Sequence, residues 1–202
     1  MKKYIINISR EFGCNAREVA RQLAARRAIE FHDQDLIRRT CEKAGIHEDQ
    51  LPDETDPRVD GKSLIRLFGY GSTTNFYSEA AVRAQMEVIR EYADQPGSCI
   101  FFGRCADYVL KEYPNRLNVF LYAPLDKRID HIAKSYNLSK EESAKLIRRV
   151  DKQRHNYYKF ITGENRGDRD NKQVMLDVSE FGIEGTAVVL DGIVKYHFGL
   201  DE

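Results

Sequence analysis

Lys3-Tyr4-Ile5-Ile6-Asn7-Ile8-Ser9-Arg10-Glu11-Phe12-Gly13-Cys14-Asn15-Ala16-Arg17-Glu18-Val19-Ala20 is the stretch whose reading decides the fold. Lys3 to Ile8 is a short apolar-rich run that suits a buried strand. Ser9 to Asn15 reads as a loop. Ala16, Val19, Ala20, Leu23 and Ala24 then recur at helical spacing, with Arg17, Arg21 and Arg26 on other faces. Strand, loop and helix in that order are the opening of an alternating α/β chain.

The alternation continues downstream. Ile29–His32, Cys99–Phe102, Leu117–Tyr122 and Val174–Leu176 are strand candidates. Helices are expected from Asp33 towards Gly45 and over Glu79–Tyr92, Leu125–Tyr136, Glu141–Phe160 and Ile183–Phe198. Short apolar strands between helices mean a parallel sheet covered on both faces, with ligands at the carboxyl ends of its strands. The first places to look are therefore just after Ile8, Phe102, Tyr122 and Leu176. Residues 51–75 break the pattern with Pro52, Pro57, Gly61, Gly69 and Gly71, and read as an irregular inserted lobe within one 1–202 domain.

Composition narrows the function classes. The 202 residues carry 32 Lys+Arg and 32 Asp+Glu, a formal net charge of zero, which argues against a nucleic-acid coat or a polybasic membrane surface. No apolar run approaches the roughly 18 residues of a membrane span. Met1-Lys2-Lys3 and its short apolar sequel fail as a signal peptide, so a cytoplasmic protein is expected. The 4 cysteines include no CxxC pair, the 5 histidines show no HExxH spacing, and neither GxSxG nor GxGxxG is present.

A loop between a strand and a helix offers amides at the positive end of the helix dipole, a ready anion site. A phosphate-binding loop would write G-x-x-x-x-G-K-[ST] over Glu11–Glu18. Both glycines are absent here; Arg17 stands at the Lys position and Glu18 at the hydroxyl position. On this segment alone, a plain strand-to-helix turn with solvent-facing arginines is the simpler reading. Cys14 is either a thiol activated by the helix N-terminus or a small residue filling the turn. Gly103-Arg104, after a strand, could hold a phosphate through the guanidinium fork or make a structural ion pair. Asp33 and Asp35 suit helix capping as well as ligand contact.

The strongest local signal is Lys145–Phe160, with Lys145, Arg148, Arg149, Lys152, Arg154 and Lys159 against the single acid Asp151. Arg148, Lys152, His155 and Lys159 share one face; Asp151, Arg154 and Tyr158 share the next. Followed by Gly163 and Gly167, with Thr162, Asn165 and Arg166 between and around them, this suits a mobile basic flap closing over phosphates, here bounded as residues 139–172. A solvated basic face and a nucleic-acid-contacting helix are the competing readings.

Taken in order, these segments resemble the cytidylate kinase-like family. The matching stretches are Ile8–Gly13, Ala16–Ala20, Phe31–Ile37, Phe102–Leu110, Val119–Leu125, Asp151–Tyr158 with Thr162-Gly163, and Leu176–Ser179 with Gly182–Glu184. The resemblance implies a three-layer P-loop NTPase-like α/β fold, with a parallel sheet of about five strands, a helical lid and an inserted acceptor-binding lobe. It implies transfer of the γ-phosphoryl group of ATP, with Mg2+, to CMP or dCMP. By position, Gly13, Cys14, Asn15, Ala16, Arg17 and Glu18 would hold the donor. Arg104, with Arg39, would hold the acceptor phosphate. Arg149 and Arg154 would be lid arginines oriented by Asp151, and Asp33 and Asp177 would lie near the acceptor. Members of the family commonly carry Ser-Gly-Gly where this chain has Cys14-Asn15-Ala16, and true cytidylate kinases tend to carry an acid at Cys105. A nucleotide-binding module without catalysis, or a kinase for another small molecule, therefore stays open.

Overall fold

A computed structural model describes residues 3–45 and 79–200. The first strand, β1 (Ile5–Arg10), is buried from Ile5 to Ser9, which is why isoleucines occupy both of its faces rather than one. It lies at the centre of a five-stranded sheet ordered β2-β3-β1-β4-β5. The other strands are β2 (Glu30–His32), β3 (Cys99–Phe102), β4 (Arg116–Tyr122) and β5 (Val174–Asp177). Every pairing is parallel; Ile8 sits opposite Phe102 on one side and Val119 on the other. The carboxyl ends of β1, β3 and β4 are thereby brought side by side.

Side chains alternating through β1 feed two cores. Ile6 and Ile8, with Ile100, Phe102, Val119 and Leu121, pack under α1 (Ala16–Arg27) and α7 (Val178–Phe198) through Val19, Leu23, Ala187 and Leu190. Ile5, Cys99 and Phe101 face the other way. They meet Leu36 of α2 (Gln34–Ala44), Val88 and Ile89 of α3 (Glu79–Asp94), and Ala106 and Val109 of α4 (Ala106–Val109). A third core joins Phe12 to α5 (Leu125–Tyr136) and α6 (Lys140–Thr162) through Ile132, Leu146, Ile147 and Val150. Helices on both faces of a parallel sheet make this the three-layer α/β fold that the sequence pattern implies.

Each expected strand and helix in the described residues is present. The one-turn α4 has no counterpart in the sequence reading, being too short to carry a period. The last helix is longer than its periodicity suggests: a first turn at Val178–Phe181 precedes a kink at Gly182 (φ 66°, ψ 178°), and the expected stretch from Ile183 continues beyond it. The lobe expected at 51–75 lies outside the described residues. In the described residues, no helix is long and apolar enough to cross a membrane.

The start of α6 is fixed by a capping box: the Ser139 hydroxyl accepts from the Glu142 amide, and the Glu142 carboxylate accepts from the Ser139 amide. Its first half is anchored in the third core. Along the second half, Arg148, Lys152 and Lys159 are exposed, whereas Asp151, Arg154 and Tyr158 turn towards the sheet edge.

Candidate active site

Two adjacent clefts open at the carboxyl edge of the sheet. One is lined by the loop from Arg10 to Glu18, by Phe102, by His131, Ile132 and Tyr136 of α5, and by Arg154. The other is lined by Ser9, Arg10, Gly103, Arg104, Cys105, Arg154, Tyr157, Tyr158 and Arg166. Arg10 and Arg154 belong to both.

The donor-type loop reaches its shape through two left-handed residues. Gly13 has φ 87°, and a Cβ there would come within 2.9 Å of Ile132 Cγ1, so glycine is required on both counts. Asn15 has φ 61° and precedes α1 without a side-chain cap, while its carbonyl accepts from the Val19 amide at 3.2 Å. Cys14 and Ala16 are buried, 3% exposed each, so their side chains face the core. The Cys14 thiol points at the carbonyls of Glu11 (3.3 Å) and Leu121 (3.5 Å), and burial pushes its pKa up to about 11. Of the two readings of Cys14, the structure gives the small residue filling the turn.

The loop is held from outside by contacts that local sequence does not announce. The Phe12 amide donates to Asp151 Oδ1 at 2.9 Å. Arg128, on α5, is 8% exposed; it donates to the Ala123 and Phe12 carbonyls and pairs with Asp151 Oδ2 at 2.7 Å and Glu11 Oε2 at 3.2 Å. His131 Nδ1 lies 2.9 Å from the Gly13 carbonyl. Arg166 donates to the Arg10 carbonyl at 2.5 Å and pairs with Asp151 Oδ1 at 3.0 Å. Burial raises Glu11 above the usual carboxylate range despite Arg128, and burial together with Arg154 lowers Arg166. The carboxylate of Asp151 thus ties α6 to the loop and to two buried guanidiniums.

Arg10 closes the gap between the clefts. Its guanidinium carbon lies 3.9 Å above the Phe102 ring, and a Cβ on Gly103 (φ 80°) would meet Arg10 Nη1 at 2.2 Å. A side chain at 103 would displace the Arg10 guanidinium from this position and strain the backbone at a positive φ. The next residues, Arg104 (φ 58°) and Cys105 (φ 57°), are also left-handed, and the Arg104 carbonyl is held by Gln85 Nε2 at 3.0 Å.

The expected site residues fall into two groups. Gly13 to Glu18, Arg104 and Arg154 line the clefts. Asp33, 8% exposed at the N-terminus of α2, is bound to Arg17: Nε lies 2.6 Å from Oδ2, and the Arg17 guanidinium also lies near the Phe102 ring. Asp151 braces the loop as described. The others stand apart from both clefts: Arg39 pairs with Glu42 at 3.1 Å on the surface, Arg149 is half-buried, and Asp177 caps α7 by accepting from the Ser179 amide at 2.8 Å. Arg10, Arg128 and Arg166 escape the sequence reading as site residues. Arg10 sits inside the quoted loop, and its place immediately after a buried strand is the available clue; Arg166 falls between Gly163 and Gly167 in the stretch read as a flap, and Arg128 offers no clue.

The model of the cytidylate kinase-like family matches residues 5–180. The chain belongs to that family. No curated protein sequence matches it. Among solved structures, an uncharacterized protein from Eubacterium ventriosum is similar with a TM-score of 0.73 at 20% identity, over 96% of this chain and 99% of that one. A shikimate kinase from Bacteroides thetaiotaomicron gives 0.55 at 13% identity, over 95% and 98% of the two chains. A shikimate kinase from Acinetobacter baumannii, in complex with shikimate, gives 0.52 at 18% identity, over 96% and 93%. At such identities these likenesses establish the fold, which is of the P-loop kinase type.

Proposed function

We propose that this member of the cytidylate kinase-like family transfers the γ-phosphoryl group of ATP to a nucleoside monophosphate, CMP or dCMP being the first acceptors to test. The observation that carries the reading is the sharing of Arg10 and Arg154 by two adjacent clefts, with Arg104 and Arg166 on the second. Phosphoryl transfer asks little covalent chemistry of a protein; it asks for aligned reactants and positive charge around the moving group. The cleft formed by Gly13–Glu18 takes the donor phosphates, Arg104 takes the acceptor phosphate, and Arg10 and Arg154 stand where the two meet. Asp33 sets the direction of Arg17. The helix Lys140–Thr162 and its return through residue 172 act as the lid.

Magnesium, when bound with ATP, neutralises charge between the donor phosphates. Such an ion usually takes one or two carboxylates and leaves its other positions to phosphate oxygens and water. Glu18 is exposed in the first turn of α1 and lines the donor cleft, so it fits as that carboxylate. Among the described residues there is no group of three or more potential metal ligands.

Two observations favour other readings. Arg17, at the Lys position, is already bonded to Asp33, which supports a nucleotide-binding module without turnover. The likeness to shikimate kinases supports a different small-molecule acceptor. ADP release from ATP and Mg2+ with a panel of nucleoside monophosphates and shikimate tests all three. Turnover confined to CMP or dCMP is expected, reduced about 100-fold or more in Arg154→Ala, the size of loss seen when one transition-state charge donor is removed. Turnover with shikimate alone moves the acceptor. ATP binding with no turnover across the panel overturns the kinase reading.

A further inference from the structure

Beneath the acceptor cleft lies a buried ionic cluster outside the reacting region. Lys172 and Asp107 have side chains 0% and 3% exposed, and Lys172 Nζ donates to Asp107 Oδ2 at 2.5 Å. The Tyr158 hydroxyl donates to the same oxygen at 3.1 Å and accepts from Asn171 Nδ2 at 2.8 Å. Lys172 also donates to Asn171 Oδ1. Burial, with Asp107 alongside, raises the Tyr158 phenol above its ordinary range and keeps it a donor. The cluster joins three separate pieces of chain: α4, directly after Arg104 and Cys105; the lid helix, one turn beyond Arg154; and the return segment, six residues past Arg166. Beyond it, Asn171 reaches β4 through Asn118 Nδ2 at 3.0 Å, and Asn118 reaches Asn7 of β1 at 2.8 Å.

Burying an ion pair this deeply is a poor way to gain stability, because desolvation cancels much of the attraction and an apolar pair of similar size often does as well. What an ion pair supplies that an apolar pair does not is a fixed direction. From this we infer that Asp107 and Lys172 are positioning residues for the acceptor cleft: they lock the lid return and Tyr158 onto the Arg104 loop, and so set the spacing of Arg104, Arg154 and Arg166 around the acceptor. The hydrogen bonds by which Asp151 and Arg128 hold the Phe12 backbone of the donor loop involve neither Asp107 nor Lys172. Two clamps serve two clefts.

This inference rests on the kinase reading for the identity of the acceptor, but its test needs only binding. CMP and ATP are titrated calorimetrically into the full chain, into Lys172→Met, and into the double variant Asp107→Leu/Lys172→Met, with thermal melts of each. Lys172→Met leaves Asp107 buried and unpaired and can fail to fold; the double variant removes both charges together and is expected to melt at or above the wild-type temperature. In that stable double variant, CMP affinity should fall about 10-fold, the scale at which remote positioning residues act, while ATP affinity should stay within about 2-fold. A folded double variant that binds CMP as the wild type does would overturn the clamp, as would equal losses for CMP and ATP. Wild-type protein that binds no CMP would overturn the clamp and the acceptor assignment together. Wild-type protein that binds both nucleotides yet forms no ADP would sink the kinase reading alone, and the CMP-selective loss would still establish the clamp.

Discussion

Replacing Asp151 by asparagine changes almost nothing in size, so its effect comes from the lost charge and from the NH2 donor that replaces one acceptor oxygen. Asp151 Oδ1 receives the Phe12 amide at 2.9 Å and Arg166 at 3.0 Å; Oδ2 receives Arg128 at 2.7 Å. The flanking guanidiniums are 9% and 12% exposed, and Asp151 itself 22%. Removing one member of a fully buried pair costs about 3–5 kcal/mol, most of it the penalty on the charge left behind. Partial exposure of Asp151 and the remaining contact of Arg128 with Glu11 at 3.2 Å reduce that. We expect a loss of about 2–3 kcal/mol. For a chain of this length each kcal/mol lowers Tm by about 2–4 °C, so the melt should fall by about 5–10 °C. Circular dichroism melts at neutral pH measure it, with Asp177→Ala, an ordinary helix cap worth about 1 kcal/mol, as the scale. Because asparagine must turn its NH2 donor towards either Arg128 or the Phe12 amide and Arg166, one side of this brace is lost, and ATP affinity should drop by about 10-fold in the folded variant at low temperature. An Asp151→Asn melt within about 1 °C of wild type would refute the reasoning, since Tm resolves even a fraction of a kcal/mol.

Gly13→Ala should destabilise by about 2 kcal/mol and weaken ATP, because φ 87° and the 2.9 Å approach to Ile132 both oppose a Cβ; an unchanged melt and unchanged ATP binding would show the loop to be looser than it looks. Arg104→Ala should raise the acceptor KM about 10- to 100-fold, the equivalent of losing one or two charge-assisted hydrogen bonds, with ATP affinity intact; a parallel loss of ATP affinity would place Arg104 elsewhere. The thiols of Cys14, Cys99 and Cys105 are buried, with pKa values pushed up to about 11, 12 and 12. Native protein should therefore resist iodoacetamide at pH 7.5 and react fully once unfolded, as followed by intact mass. Rapid labelling of Cys14 in the native state would reopen its reading as an activated thiol.

The sheet is legible in the sequence because its inner strands are buried on both faces: Ile5–Ile8, Cys99–Phe102 and Leu117–Tyr122 are apolar runs interrupted only by Asn7 and Asn118, which pair with each other, and such runs are visible without partners. Helix α4 is not, since four residues cannot show a 3.6-residue period, and the first turn of α7 is hidden by the break at Gly182. The Arg10–Glu18 loop can be placed because strand, loop and helix are consecutive in the chain. Its bracing cannot, because the contacts join Phe12 to Asp151, Arg128 to Phe12 and Arg166 to Arg10 across 139, 116 and 156 positions. Nothing in a local window distinguishes Arg128 from a surface arginine on an amphipathic helix; burial alone does so, and burial is a property of the assembled fold. The same holds for Lys172, which reads as one more charge in a polar turn until Asp107 is beside it.

One local pattern carries more than it shows. In sequence, Asp151, Arg154 and Tyr158 are simply one face of the basic helix, and the structure gives each a different duty along that face. Asp151 bonds to the Phe12 amide, Arg154 lines both clefts, and Tyr158 bonds to Asp107 beside the Arg104 cleft. At 1.5 Å per residue, the 7 positions from Asp151 to Tyr158 span about 10 Å of helix, so the helix itself fixes how far apart the two clefts are braced. Its rigidity matters more here than its positive charge, most of which (Arg148, Lys152 and Lys159) faces solvent. One residue inserted between Arg154 and Tyr158 would turn Tyr158 by about 100° away from Asp107 while leaving Asp151 on the loop, detaching the proposed acceptor cleft from a Gly13 loop that stays in place.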